Sequence, residues 1–457
     1  MNKLTPTTNN YPVRLPDHRQ LPHHSAHENQ QPTTAWAVSP TIGSFPITLP
    51  MRTNNQPTMK YLITILVLTT LTAHTLFAQP FGNDSPFRLR GYIKAMPGLQ
   101  LDKDFSNPAF NGLIHNRLNF RWGISDAVDL NIEGRNRLLY NEMYETFPGI
   151  EDFFAQDDGL IDMSWVWLSG DRWIGHTELD RLYMSWRTES WRVRAGRQRI
   201  NWGINLVSNP NDLFNTYSFF DFDYEERPGA DALRVQHYIS HLSSIEVAVS
   251  PAKETEDMVA AAKYVFNTRG FDIQSIAGYF RNRLAVGGGW AGHIGGAGFK
   301  GEATWFYDLE QQESTTQQEN TTQQENAGRA NLVIAAGLDY MFSNGTFGVV
   351  ELLYNGGYER SAGEVMQVTQ PLRPDNIMFS KYAITISADH SFSPIFSGGL
   401  AAMVLPDTNA GFLMPQLNYS VATNLDFQFV GQLFFGGEGT IFEEAGAGLF
   451  TSLNYSF

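Results

Sequence analysis

Not one cysteine occurs in the 457 residues, which excludes a disulfide framework, a thiolate nucleophile, a cysteine metal site and a cysteine-linked lipid anchor. Positive charge is scarce too: 32 Lys and Arg stand against 47 Asp and Glu, a formal charge of −15. That balance argues against nucleic acid as a partner. Past residue 78 no apolar run is long enough for a membrane helix. An HExxH pair, a close cluster of ligating histidines and a phosphate-cradling loop are all missing, so neither enzyme chemistry nor a metal or cofactor is expected. His390-Ser391 is the nearest approach to a paired nucleophile, with no polar partner motif around it.

What is plentiful is aromatic residues, at 13%, and glycine, at 40 residues. With a mean hydropathy slightly below zero, this composition points to a β-rich protein. Residues 1–58 are rich in Pro, His, Asn, Gln and Thr and have no apolar period. They read as disordered, or as an upstream extension of the reading frame. Residues 59–78 follow the layout of a secretory signal peptide, with Lys60, an apolar run from Tyr61 to Leu71, and Ala78 before Gln79. Removing 1–78 takes away five basic and two acidic residues, which leaves 27 against 45 and a net −18.

From 79 to 457 apolar and polar residues alternate in run after run. Leu118, Phe120, Trp122 and Ile124 oppose Arg117, Asn119 and Arg121; Leu425, Phe427 and Phe429 oppose Asp426 and Gln428. Period two means strands with one wet face. About eighteen such runs of roughly ten to thirteen residues suit tilted membrane strands better than soluble ones. Their linkers alternate between short (Ser125-Asp126, Thr188–Ser190, Asn344-Gly345) and long (140–175, 208–230, 311–329, 359–376). All long linkers then fall at the end opposite both termini, the asymmetry of an all-β transmembrane antiparallel barrel. Too few residues remain for a plug domain inside a twenty-two-stranded barrel.

The chain ends on LFTSLNYSF, with Leu449, Thr451, Leu453, Tyr455 and Phe457 on one face. This ending resembles that of bacterial outer-membrane porins. The resemblance implies that Leu453, Tyr455 and Phe457 belong to an assembly signal read by the barrel-assembly machinery, and that the chain resides in the outer membrane of a Gram-negative bacterium, surrounded by lipid and lipopolysaccharide. The segments GRQRINWG, NPNDLFN and RPGADALRV also resemble poorly characterised porin-like proteins, distantly like alginate-export and phosphate-selective porins.

Between residues 88 and 199 lie 13 of the 21 arginines that follow residue 78. An arginine facing lipid near the midplane costs about 2–4 kcal/mol, so strand alternation places Arg88, Arg90, Lys94, Arg117, Arg121, Arg135, Arg137, Arg181, Arg187, Arg192 and Arg194 inside. A glycine bulge near Gly196 would keep Arg197 and Arg199 inside as well. One reading is a pore-lining wall that attracts anions, since arginine keeps its charge and presents a planar fork. The other is a structural network with Asp129, Glu133, Glu178 and Asp180. The loop from Gly203 to Asp231, folded inward, would set Asp221, Asp223, Glu225 and Glu226 against that wall as a constriction; folded outward, its acids would be a solvated surface or a divalent-ion site. Trp165, Trp167 and Trp173 either stack on sugars at the mouth or pack their loop onto the barrel rim.

The expected function is a porin-like channel for small hydrophilic, including anionic, solutes. The alternative is a non-conducting surface protein that binds polysaccharide or acts in adhesion. A homotrimer is compatible with the apolar outer faces, since lipid-facing and subunit-facing residues are alike in kind.

Overall fold

The computed structural model describes residues 85–146, 150–157, 159–215, 228–309, 330–358, 372–437, 440, 442–443 and 445–457. The leader, the signal-like segment and the four constriction acids 221, 223, 225 and 226 lie outside the described residues. Alternation produces nineteen strands: β1 (Phe87–Asp102), β2 (Ala109–Gly123), β3 (Val128–Asn141), β4 (Ser164–Gly170), β5 (Trp173–Arg187), β6 (Trp191–Gln198), β7 (Ala230–Ser240), β8 (Ser243–Ser250), β9 (Val259–Thr268), β10 (Phe271–Phe280), β11 (Arg283–Ile294), β12 (Ala297–Asp308), β13 (Ala330–Met341), β14 (Thr346–Asn355), β15 (Tyr382–Ser393), β16 (Phe396–Leu405), β17 (Ala410–Ala422), β18 (Leu425–Gly436) and β19 (Ala445–Ser456). Apart from β4, each pairs antiparallel with its sequence neighbours, and β1 pairs with both β2 and β19. The ring is a closed antiparallel barrel of 18 strands.

Connections at the end that holds both termini are two to four residues long. Arg269-Gly270 and Gly295-Gly296 take the positive φ that a two-residue primed turn requires. The long connections all leave the opposite end. Outward positions expose Trp122, Leu233, Val247, Val286, Ile334, Leu352 and Leu453, while the inward positions between them are buried or polar. At the loop end of β10 to β19 the buried side chains include the apolar Phe280, Phe306, Met403, Leu405, Phe412 and Met414. They pack with Ile377, Met378 and Phe379 of the preceding connection into one core. Asp407 pins that connection, accepting bonds from Ser380 Oγ and from the N–H groups of Lys381 and Tyr382. Burial works against its charge, but these bonds hold its carboxyl below the usual range.

The nineteenth strand fills a gap. β5 pairs with β3 along one edge; along the other, Leu182–Arg187 take β6 and Trp173–Glu178 take β4. β6 is only 8 residues long, so β4 returns from the loop, behind the short helix α1 (Ile150–Ala155), to complete the wall. Trp167 of β4 lies flat on Gly175, where a Cβ would stand 2.6 Å from its ring. Its Nε1–H donates to Thr177 Oγ1 at 3.1 Å. Trp167 therefore packs its strand onto the barrel wall, as the packing reading of these tryptophans has it.

Arg197 closes the seam between β6 and β4. It donates to Asp157 (2.7 Å), Asp231 (2.8 Å) and the carbonyls of Ile161 (2.6 Å) and Leu179 (3.4 Å). This placement corrects the sequence reading. Gly196 does take φ +115°, but the ladder runs through it without a register shift, and Arg197 stands opposite Leu182 and Asp231 rather than sharing the face of Arg194. The bulge lies instead on β5, where the register against β3 shifts at Asp180.

The last strand closes the ring. Phe457 N–H donates to Gly91 O at 2.9 Å and Gly91 N–H to Phe457 O at 3.0 Å. The Phe457 ring covers Gly91, where a Cβ would stand 2.9 Å from Cζ. Deleting Phe457, or replacing Gly91 with Val, should lower the amount of folded barrel recovered from membranes. Immunoblots of heat-modifiable protein measure this, and wild-type levels from both variants would contradict the closure. Replacing Arg197 with Ala should cost about 3–5 kcal/mol, because two buried carboxylates lose their partner. Tryptophan-monitored urea unfolding in detergent reads the loss.

Candidate functional site

The connection that leaves β6 turns into the barrel. Residues 200–215 form a finger stapled at its base, where Ile200 N–H donates to Asn215 Oδ1 (2.7 Å) and Trp202 N–H to Asp212 Oδ1 (3.2 Å). Its apolar side chains, Ile200, Trp202, Val207 and Leu213, join the interior core. Backbone inside a barrel needs partners, and wall side chains provide them. Trp202 Nε1–H donates to Glu246 of β8 (2.7 Å), and Trp202 O accepts from Gln274 of β10 (2.7 Å). N–H groups of Ile204, Asn205 and Asn211 converge on Glu302 of β12 at 2.9, 2.9 and 3.0 Å. At the tip, Val207 and Ser208 donate to Glu351 of β14 at 3.1 and 2.6 Å. The described half of the expected constriction loop is thus inside the barrel, running from β8 to β14.

The arginines occupy the other arc, on β1 to β7. Four times the ladder sets arginine across from arginine: Arg88 and Arg121, Arg117 and Arg135, Arg187 and Arg192, Arg194 and Arg234. Like charges directly opposite are unfavourable without counter-charge. At mid-height the counter-charge is built in. Arg117, fully buried, pairs with Asp180 (2.7 Å) and Glu133 (2.8 Å), Arg135 with Glu178 (2.7 Å) and Arg234 with Glu246 (2.6 Å), while Arg121, level with Arg88 toward the termini, pairs with Asp129 (3.2 Å). The four acids of the structural reading are among the partners found, with Glu246 in addition.

Other inward cations meet rings or backbone. Lys94 lies over Tyr92 and Arg194 over Tyr183. Arg137 lies over Phe154 and reaches His176 Nδ1 at 3.0 Å. Arg181 donates to Asp180 O; Arg199, just past the end of β6, is half-buried, and without a bulge at Gly196 the ladder does not place it on the face of Arg194. Arg88, Arg90, Arg187 and Arg192 carry no side-chain ion pair among the described residues. All four lie toward the end that holds the termini.

The sequence reading missed the carboxylates that hold the finger. Glu246 and Glu351 stand between apolar neighbours, as in Ile245-Glu246-Val247 and Val350-Glu351-Leu352, and Glu302 between Gly301 and Ala303, as any wet-face residue of a period-two strand does, so the sequence carried no distinguishing signal. His390 bonds Thr346 Oγ1 at 3.0 Å. Among the described residues no group of three or more His, Asp or Glu is placed to hold a metal ion.

No protein-family model and no curated protein sequence matches the chain. Among solved structures it is similar to OccAB1 of Acinetobacter baumannii, with TM-score 0.53 and 10% identity over 83% of this chain and 98% of that one. It is likewise similar to the outer membrane protein OprD of Pseudomonas aeruginosa, with TM-score 0.51 and 8% identity over 83% and 95%. OccAB4 of Acinetobacter baumannii gives 0.50 and 8% over 82% and 99%. At such identities the likeness is one of fold, and the fold is the closed eighteen-stranded barrel of outer-membrane porins.

Proposed function

We propose that the chain is a passive diffusion channel for small hydrophilic solutes in the outer membrane of a Gram-negative bacterium, with both termini on the periplasmic side and a preference for anions. The observation that carries the preference is the set Arg88, Arg90, Arg187 and Arg192 on one interior arc, without an ion pair among the described residues. On the opposite arc, also toward the termini, inward positions carry Asp272, Asp389 and Asp426. Fixed charges of opposite sign across a narrow lumen orient a charged solute and raise the local anion concentration beside the arginines. Nothing in this arrangement calls for bond chemistry. The apolar core at the loop end of β10 to β19 favours a second reading, a barrel closed from above that acts as a surface binder.

Planar-bilayer recording of the refolded mature protein separates the two. Stepwise current supports the channel, and its absence across a range of voltages supports the surface protein. Selectivity has its own test. Replacing Arg187 and Arg192 with Gln should move the reversal potential in a salt gradient toward cations. The shift should shrink from about 0.1 M to about 1 M salt, as the screening length falls from roughly 10 Å to roughly 3 Å. Stability should hold or rise slightly, because a like-charged pair is relieved. An unmoved reversal potential would retire the preference for anions.

A further inference from the structure

Three properties of the carboxylates beneath the finger bear on how the lumen is narrowed. First, both oxygens of each are occupied by finger backbone: Glu302 Oε1 accepts from Ile204 and Asn205 while Oε2 accepts from Asn211, and Glu351 divides its oxygens between Val207 and Ser208. Neither has a cation partner among the described residues. Secondly, the wall does not use them. Glu302 sits mid-strand with its backbone paired to Gly289 and Ala335, and Glu351 likewise to Gly337 and Thr385. Thirdly, the wall beside them is cut to the finger. A Cβ on Gly289 would stand 2.6 Å from Ile204 Cδ1, and one on Gly287 would stand 2.7 Å from Asn211 Oδ1.

We infer that Glu302 and Glu351 are the positioning residues of the constriction: beyond Trp202 the finger is an insert held against β12 and β14 by these two carboxylates. The inference rests on the channel reading above. Five backbone N–H groups turned toward a barrel wall need acceptors, and a carboxylate is the side chain that offers two strong acceptor oxygens and no donor. Glutamine keeps the shape but replaces one oxygen with a donor. Since both oxygens are in use at each site, either orientation of the amide sets a donor against a donor. The ladder bonds through residues 302 and 351 are untouched, so the barrel remains while the finger loses its hold.

The absence of cysteine allows a clean probe, because Val207→Cys at the finger tip would be the sole thiol. Val207 is 8% exposed, so a hydrophilic maleimide should label it slowly in the otherwise unchanged protein. In the E302Q/E351Q background labelling should quicken by about tenfold or more, the change in an opening equilibrium that one lost buried hydrogen bond produces. Without the cysteine, the same double variant should show larger single-channel steps than wild type.

Unchanged labelling and unchanged step size overturn the inference. Faster labelling with no current from either protein retires the channel reading but upholds the clamp. Should the double variant fail to form a heat-modifiable barrel, E351Q alone carries the test. It frees only the tip and leaves the three bonds to Glu302, and an unchanged labelling rate there also overturns the inference.

Discussion

The hydrogen bonding of β19 to β1 is the contact on which the rest of the molecule depends. In hydrocarbon no water is at hand to satisfy an open strand edge, so a sheet in a membrane has to close. Once Phe457 meets Gly91 the edge is gone, and every strand has a fixed inner and outer face. A terminus that would fray on a soluble domain is here the final rung of a continuous ladder. The glycine at position 91 is part of that closure, since the ring of Phe457 occupies the space a side chain would need.

Closure divides the side chains into two populations with different rules. Outside, exposed Leu, Val, Ile and Trp carry no polar burden. Inside, charge is admitted but must be managed, and it is managed differently at different heights. At mid-barrel the arginines are tied to carboxylates on neighbouring strands, and Arg117 with Asp180 is fully shielded from solvent. Such pairs hold shape more than they add stability, because desolvation offsets much of the attraction. Toward the termini Arg121 is tied to Asp129, but Arg88, Arg90, Arg187 and Arg192 carry no ion pair among the described residues, and their field reaches the lumen.

Much of this was legible in the sequence because period two is a strong signal when it recurs with turn residues between runs. The strand number, the parity of Leu453 against Ser452 and the short turns at one end follow from it, whereas the course of the connection after β6 was open between inward and outward. Two of the acids around the arginines were legible for the same reason, since strand parity places Asp129 and Glu133 on the arginine face; Glu178 reaches it through the bulge at Asp180. Two features were not. A left-handed glycine looks the same in sequence whether or not it adds a residue to the ladder, so Gly196 suggested a bulge that lies instead at Asp180. Glu302 and Glu351 resembled ordinary wet-face residues, because a carboxylate that binds water and one that binds a folded-in backbone have identical neighbours in the chain.

The seam at β4 imposes an order of events. Its residues belong to the connection at the loop end, so in a membrane they must first cross the bilayer and then come back to join the wall. Until they do, the upper half of β5 has a bare edge, a template for any strand that happens by. The barrel can therefore be closed on β1 and still be unfinished. The last piece arrives from the far side, guided by Asp157 toward Arg197, and a fault there would surface as a leaky or sticky barrel long after the terminal strand had zipped shut.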